Sequence, residues 1–392
     1  MRILSLCYEF PPVGGGASRV AHGLSRELVQ LGHEVTVVTM GMKGLPAREC
    51  IDGVDVHRVP GIRQHPYQCS VHEAAYHLLG ATRTALRLAQ ERQFDINHTH
   101  FILPDGYTAR QVARQTGLPY VITAHGSDVP GYDPHRLQLL HRLLAPKWRS
   151  IVNSASAVVS PSDGLSQLIK DRGARTEVLT IPNGLDIGQY HAHRQRSKQI
   201  LVVAKMLQRK GIQYLVRALA DSDLGYEVHI VGDGPYLPEL KKLAEETGAD
   251  VRFWGWLDNN SPELEELFEN SRIFVLPSEA ENFPIVLLEA MRAGLAIVTT
   301  RGTGCAEVVG DAAILVEPCS PEAIRAALDR LVADDGLRQS LGAAGRTRIE
   351  SNFSWAAVAT RYVRLYEQCL HRGAAGQSEA DSDDALPSTR SP

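Results

Sequence analysis

Between Pro277 and Arg301 the chain reads PSEAENFPIVLLEAMRAGLAIVTTR, and this stretch limits the possible folds more than any other. Four apolar residues, Ile273 to Leu276, lead into a polar loop holding Glu281, Asn282, Phe283 and Pro284. A helix-forming run with Glu289 follows, ends near Gly294, and gives way to a second apolar strand. Strand, loop, helix and strand make a βαβ unit, which commits its surroundings to a parallel sheet. Pro284 suits the first helical turn, where its φ is already set and its missing N–H would be unpaired anyway. The helix therefore starts beside Glu281, with free N–H groups and its positive dipole end beyond the strand ends, a setting that suits phosphate. Glu281 and Glu289 could then accept hydrogen bonds from a sugar and a ribose. A solvated pair of surface carboxylates is the plain alternative.

The same alternation runs through the chain. Arg2 to Tyr8 reads as a strand, Pro11 to Gly16 as a glycine-rich loop, Ala17 to Gln30 as a helix and Glu34 to Thr39 as a strand. Strands follow at Val54 to Val59, Asp95 to His100, Tyr120 to Ala124, Ala157 to Ser160 and Val178 to Ile181. Tyr190 to Lys198 is polar and without apolar period. A second alternating series then runs from Ile200 to Arg301. At 392 residues the chain is too long for one core. The expected fold class is α/β, two Rossmann-like doubly wound domains facing a cleft: 1–190, a linker at 191–198, 199–351, a returning helix at 352–372, and a disordered tail at 373–392 that is poor in residues to bury. Four acids stand against Arg390 in that tail, so most of the net charge of −4 lies there. The near-neutral body does not suit nucleic acid. Six scattered cysteines without a CxxC give neither a disulfide framework nor a zinc site and fit a reducing cytoplasm. The apolar run at the N-terminus is too short for a membrane span.

Several short motifs carry chemistry. PPVGGGASRV lacks the GxGxxG spacing of a dinucleotide fingerprint, but its glycines let backbone N–H groups approach a phosphate. AHGSD places His125 directly after a strand. His98 and His100 end a neighbouring strand, so a metal site of these three is conceivable. Without a carboxylate or cysteine at ligand spacing, a hydrogen bond from His125 to a substrate hydroxyl fits better. VVAKMLQRKG sets Lys205 past a strand and Lys210 at a helix start, where two ammonium groups could neutralise a diphosphate; exposed lysines are the alternative. VGDGP is a strand end and turn whose backbone could meet a base edge.

In this order, PPVGGG, AHGSD, IPNGLD, KxxxxKG, GDGP, ENFPxxxxE and TGCAEVV resemble the retaining glycosyltransferases of family GT4 with the GT-B fold, from Met1 to about Arg372. The resemblance implies hexosyl transfer from a nucleotide-sugar donor to a hydroxyl of a sugar, lipid-linked or small-molecule acceptor. It implies no cofactor and no required metal. It would put Gly15, Gly16, Lys205, Lys210 and Phe283 at the donor diphosphate, Glu289 at the ribose, and Gly232 and Gly234 at the base. His125, Glu281 and Lys210 would be catalytic, and Asn352 to Leu370 would be the final helix. Lys205 stands where Arg is usual, replacing a fork by a point charge. Pro284 stands where many members have Gly. An epimerase of the same fold, or a protein that only binds nucleotide sugars, are the rivals. The basic, Leu-rich segment Pro134 to Ile151 could also lie on anionic lipid as a peripheral membrane contact, or simply face the core.

Overall fold

The computed structural model describes all residues except 67–68, 133–137, 187–195, 221–223, 259–260 and 384–392, and gives the helical backbone of 373–383. The chain divides into two compact units. One comprises Met1–Pro161, Leu165–Pro182 and Trp355–Pro392; the other, Ser162–Gly164 and Asn183–Ser354.

The first unit contains β1 (Arg2–Leu6), α1 (Gly16–Gln30), β2 (Glu34–Met42), β3 (Arg48–Ile51), β4 (Val54–Arg63), α2 (Val71–Glu91), β5 (Ile96–His100), α3 (Asp105–Thr116), β6 (Tyr120–Thr123), α4 (Gln138–Asn153), β7 (Ala157–Ser160), α5 (Asp163–Asp171) and β8 (Val178–Thr180). Its sheet order is β3-β4-β2-β1-β5-β6-β7-β8. The β3–β4 pair is antiparallel, an element absent from the alternating pattern of the sequence. It turns at Asp52-Gly53, both with φ above zero, the dipeptide that two-residue hairpins favour.

The second unit has β9 (Gln199–Val203), a 3-10 turn (Gln208–Lys210), α6 (Ile212–Ala218), β10 (Glu227–Val231), α7 (Leu237–Thr247), β11 (Arg252–Gly255), α8 (Pro262–Asn270), β12 (Ile273–Leu276), α9 (Ile285–Ala293), β13 (Ala296–Thr300), α10 (Gly304–Val309), β14 (Ala313–Val316), α11 (Pro321–Ala333) and α12 (Asp335–Asn352). Its sheet is parallel, in the order β11-β10-β9-β12-β13-β14. The four β12 side chains are fully buried because helices cover both faces. Ile273 and Val275 enter one apolar cluster, Phe274 and Leu276 the other, as the strand period of two requires. α9 ends at Gly294 in the left-handed conformation, the usual glycine stop.

α13 (Trp355–Asp383) belongs to the first unit. A Cβ on Gly23 of α1 would lie 2.3 Å from the Trp355 ring, so the missing side chain is what seats the helix. Tyr362 and Tyr366 then reach Thr123 (3.0 Å) and His98 (2.8 Å) at the sheet. The helix passes Gly373, where the disordered tail was expected to begin; residues 384–392 of that tail, and 191–195 of the expected linker, lie outside the described residues.

Candidate active site

In an open α/β sheet, ligands collect beyond the carboxyl ends of the strands where the winding direction reverses. In the second unit that point lies between β9 and β12, since successive strands leave them in opposite directions. Lys205 and Lys210 follow β9, and the loop with Glu281 follows β12. Gly211 draws the two together. Its φ of 70° is left-handed, and a Cβ there would sit 2.0 Å from the carbonyl oxygen of Pro277, so only glycine fits. The Glu279 N–H donates to Arg209 O (2.9 Å) across the same junction. As a result Lys210 Nζ pairs directly with Glu281 Oε1, and Ser278 Oγ donates to that same oxygen at 2.9 Å. The paired side chains are only 15% and 9% exposed, so this contact is much less screened than a surface pair. Lys205 is exposed just past β9.

The Glu281 loop is also tied from its far side. A Cβ on Gly304 would meet Asn282 O at 1.6 Å, the Gly304 N–H donates to Glu281 O (2.9 Å), and Thr300 Oγ1 donates to Ser278 O (2.6 Å). Pro284 is the N-cap rather than a residue of the first turn: its ψ of 110° is extended, and α9 begins at Ile285. The Phe283 ring is buried, edge-on to Phe353 at 5.6 Å, which leaves only its main chain for a diphosphate. Glu289 is half-buried on α9. Gly232 and Gly234 press against the Lys205 loop, where Cβ atoms would fall 1.8 Å from Ala204 O and 2.4 Å from Met206 O. Met206 N–H donates to Asp233 O at 3.0 Å. These two glycines thus shape the loop, and any base contact there is the backbone's.

In the first unit the reversal lies between β1 and β5. Gly15 caps α1, which starts at Gly16; the Gly14 N–H donates to Pro66 O (2.6 Å), and the Gly15 N–H faces the Glu9 carboxylate at 3.5 Å. Buried Arg63 holds the other Glu9 oxygen at 3.1 Å. Glu9, which the sequence reading passed over, therefore stands where a phosphate was expected.

His125 follows β6 and is half-buried. Its Nε2 lies 3.2 Å from His100 Nδ1, and its backbone N–H donates to Asp128 Oδ1 at 3.0 Å. Burial holds the imidazolium form of His125 well below its ordinary range; it does the same to His98 and His100. Burial also raises the Asp128 carboxyl to about 6, although it accepts several backbone N–H groups. A three-histidine metal site does not fit this geometry, since both His98 nitrogens are engaged by Thr123 (2.8 Å) and Tyr366 (2.8 Å). Among the described residues no group of three or more His, Cys, Asp or Glu could hold a metal ion. On α4, Trp148, Ile151 and Val152 face the core, while Leu139 and Leu143 are about 70% exposed beside exposed Arg142 and Lys147; residues 134–137 of that segment lie outside the described residues. No described helix is long and apolar enough to cross a membrane.

Comparison with known proteins gives the family. Residues 14–189 match the model of Glycosyltransferase Family 4, and residues 186–348 that of Glycosyl transferases group 1. The chain belongs to the GT4 glycosyltransferases. Among curated proteins this glycosyltransferase is 25% identical to N-acetyl-alpha-D-glucosaminyl L-malate synthase of Bacillus anthracis, covering 94% of this chain and 97% of the relative. It is 27% identical to MMP alpha-(1->4)-mannosyltransferase of Mycolicibacterium hassiacum, covering 96% and 100%. Among solved structures, sucrose-phosphate synthase from Thermosynechococcus elongatus superposes with a TM-score of 0.82 at 20% identity, covering 95% and 100%. HepE of Anabaena, solved with UDP and glucose, gives 0.74 at 18%, covering 94% and 99%. The fold is GT-B.

Proposed function

We propose that this glycosyltransferase moves a hexosyl group from a nucleotide diphosphate sugar to a hydroxyl acceptor with retention of configuration. The reading is carried by the Lys210–Glu281 pair with Ser278 at the β9/β12 reversal. An ammonium group and a hydrogen-bond acceptor stand side by side there, next to the start of α9. Such a junction serves a phosphorylated sugar, whose leaving diphosphate needs fixed positive charge and whose hydroxyls need acceptors. Lys210, Lys205 and the α9 N-terminus take the diphosphate together with the main chain of Phe283. Glu281 takes hexose hydroxyls, Glu289 the ribose, the backbone around Gly232 and Gly234 the base, and His125 the transferred sugar.

With positive charge supplied by the protein, the reaction needs no metal. The bond from the anomeric carbon to the diphosphate oxygen breaks as the acceptor oxygen bonds to that carbon on the same face. The leaving phosphate takes the acceptor proton, so no protein nucleophile is required. Relatives named for different sugars support a hexosyl donor without choosing one.

The test is turnover across UDP-, GDP- and ADP-sugars, with the product anomer read by NMR. Lys210→Ala and Glu281→Ala should each lower kcat/KM roughly 100-fold or more; near-wild-type transfer by both overturns the assignment. Release of an epimerised donor without any acceptor would replace transfer by epimerisation.

A further inference from the structure

One cluster in the first unit does more than the proposed reaction asks of it. β5 ends at His100, and the next residue, Phe101, has a φ of 72°, a conformation that bulky side chains rarely adopt. Phe101 N–H donates to Thr123 O at 2.8 Å, which holds the turn against the end of β6. Both rings carried by this turn pack on His125, with centroids at 5.4 Å for His100 and 4.5 Å for Phe101. One carboxylate fastens the two segments together: Asp128 Oδ1 accepts the His125 N–H, and Oδ2 accepts the Ile102 N–H at 2.7 Å.

His100 is buried to 1% exposure and meets His125 nitrogen to nitrogen. Two neutral imidazoles facing in this way share one proton, so one donates, the other accepts, and the tautomer of each is tied to that of the other. Among the described residues His125 Nδ1 makes no hydrogen bond, so it is the nitrogen left for a ligand. The titratable groups around the pair are His98, its ring tilted against that of His100 at 4.5 Å, Asp128, and the tyrosines Tyr362 and Tyr366 behind His98. Burial and the neighbouring rings all oppose a positive charge on His100.

We propose that His100 is a positioning residue that fixes the His125 ring and ties its tautomer to its own, so that Nδ1 is turned to a hydroxyl of the transferred sugar. This rests on the assignment of His125 to that sugar. The test uses the full-length protein with 15N-labelled histidine, alongside kinetics of His100→Phe and His100→Asn. In the wild type, the tautomer signals of His125 should be the complement of those of His100. His100→Phe should break that coupling and change the His125 tautomer ratio. It should lower kcat about 10- to 100-fold while leaving donor KM within about twofold, because a misplaced group costs turnover rather than ground-state binding. His100→Asn returns an amide partner and should recover part of the loss. A His125 tautomer ratio that is the same in wild type and His100→Phe, or a His100→Phe enzyme with unchanged kcat, overturns the inference. Absence of any turnover by the wild type would instead refute the proposed reaction, and the NMR arm would still decide the histidine pair.

Discussion

The Lys210–Glu281 contact yields a prediction in which two substitutions pull in opposite directions. Lys210→Met removes the ammonium but keeps much of the side-chain bulk, leaving a carboxylate that is 9% exposed with its ion partner gone. Losing one member of a buried pair typically costs about 3–5 kcal/mol. Ser278 still donates to Glu281, so about 2–3 kcal/mol is expected here. For a unit of this size that is a fall in Tm of about 4–12 °C. Glu281→Gln keeps an acceptor for Ser278 and should cost about 1 kcal/mol or less. The double variant should be more stable than the two single losses imply, with a coupling of about 1–3 kcal/mol. Binding of a nucleoside diphosphate without sugar separates the roles further. Lys210→Met should weaken it about 10- to 150-fold, the worth of one charged hydrogen bond. Glu281→Gln should tighten it several-fold, because the ammonium no longer has to leave a carboxylate. Both variants should lose transfer. Thermal unfolding and isothermal calorimetry read these quantities. An unmoved Tm in Lys210→Met, or weakened diphosphate binding in both variants, would refute the idea that a phosphate and Glu281 compete for one ammonium.

Other outcomes follow from the same geometry. His98, His100 and His125 are held neutral by burial, so their folded-state pKa values lie below the unfolded value of 6.5. The stability they confer is complete above pH 6.5 and is lost as pH falls, at up to about 4 kcal/mol per pH unit if all three take up protons on unfolding; calorimetry from pH 7 to 5 should show that uptake, reduced in His98→Gln. Asp128 has the opposite sign: with its carboxyl raised from 3.8 to about 6, the carboxylate costs about 3 kcal/mol above pH 6, a cost relieved as pH falls toward 4. The difference between wild-type and Asp128→Asn Tm profiles should therefore change across that window. Gly304→Ala puts a methyl 1.6 Å from Asn282 O and should cost more than about 3 kcal/mol together with most activity, read by denaturant unfolding and a transfer assay. If the exposed Leu139 and Leu143 meet lipid, the protein should co-float with anionic vesicles and cease to do so as Leu139→Asp/Leu143→Asp; flotation unchanged by the pair would discard that face.

Much of the fold was legible because its signals are local. The continuous apolar run of β12, the short, mostly apolar β7 and the Ser-Pro start of α8 read correctly from neighbouring residues alone. The β3 hairpin was missed although Asp52-Gly53 announced it, since the residues before it are charged and the strand is only half-buried. Of the site, the chemistry-bearing residues could be named but their partners could not. Lys210 and Glu281 are 71 positions apart, and His100 and His125 are 25 apart. Asp128 sat in view within AHGSD, yet nothing in its local spacing says that its second oxygen would be spent on Ile102.

The amino-acid order by itself determined two alternating strand-and-helix series, the turn where each loop must lie, and the residue types offered at the strand ends, because propensity, periodicity and capping act over a few residues. Only the tertiary structure decided which of those ends meet. Strand order reverses between β9 and β12 and between β1 and β5, and glycines at 211 and 304 let main chains close to distances that a side chain would block. Whether an ammonium faces a carboxylate or a histidine faces a histidine depends on that packing, which sums contacts over the whole sheet and leaves no trace in any short stretch.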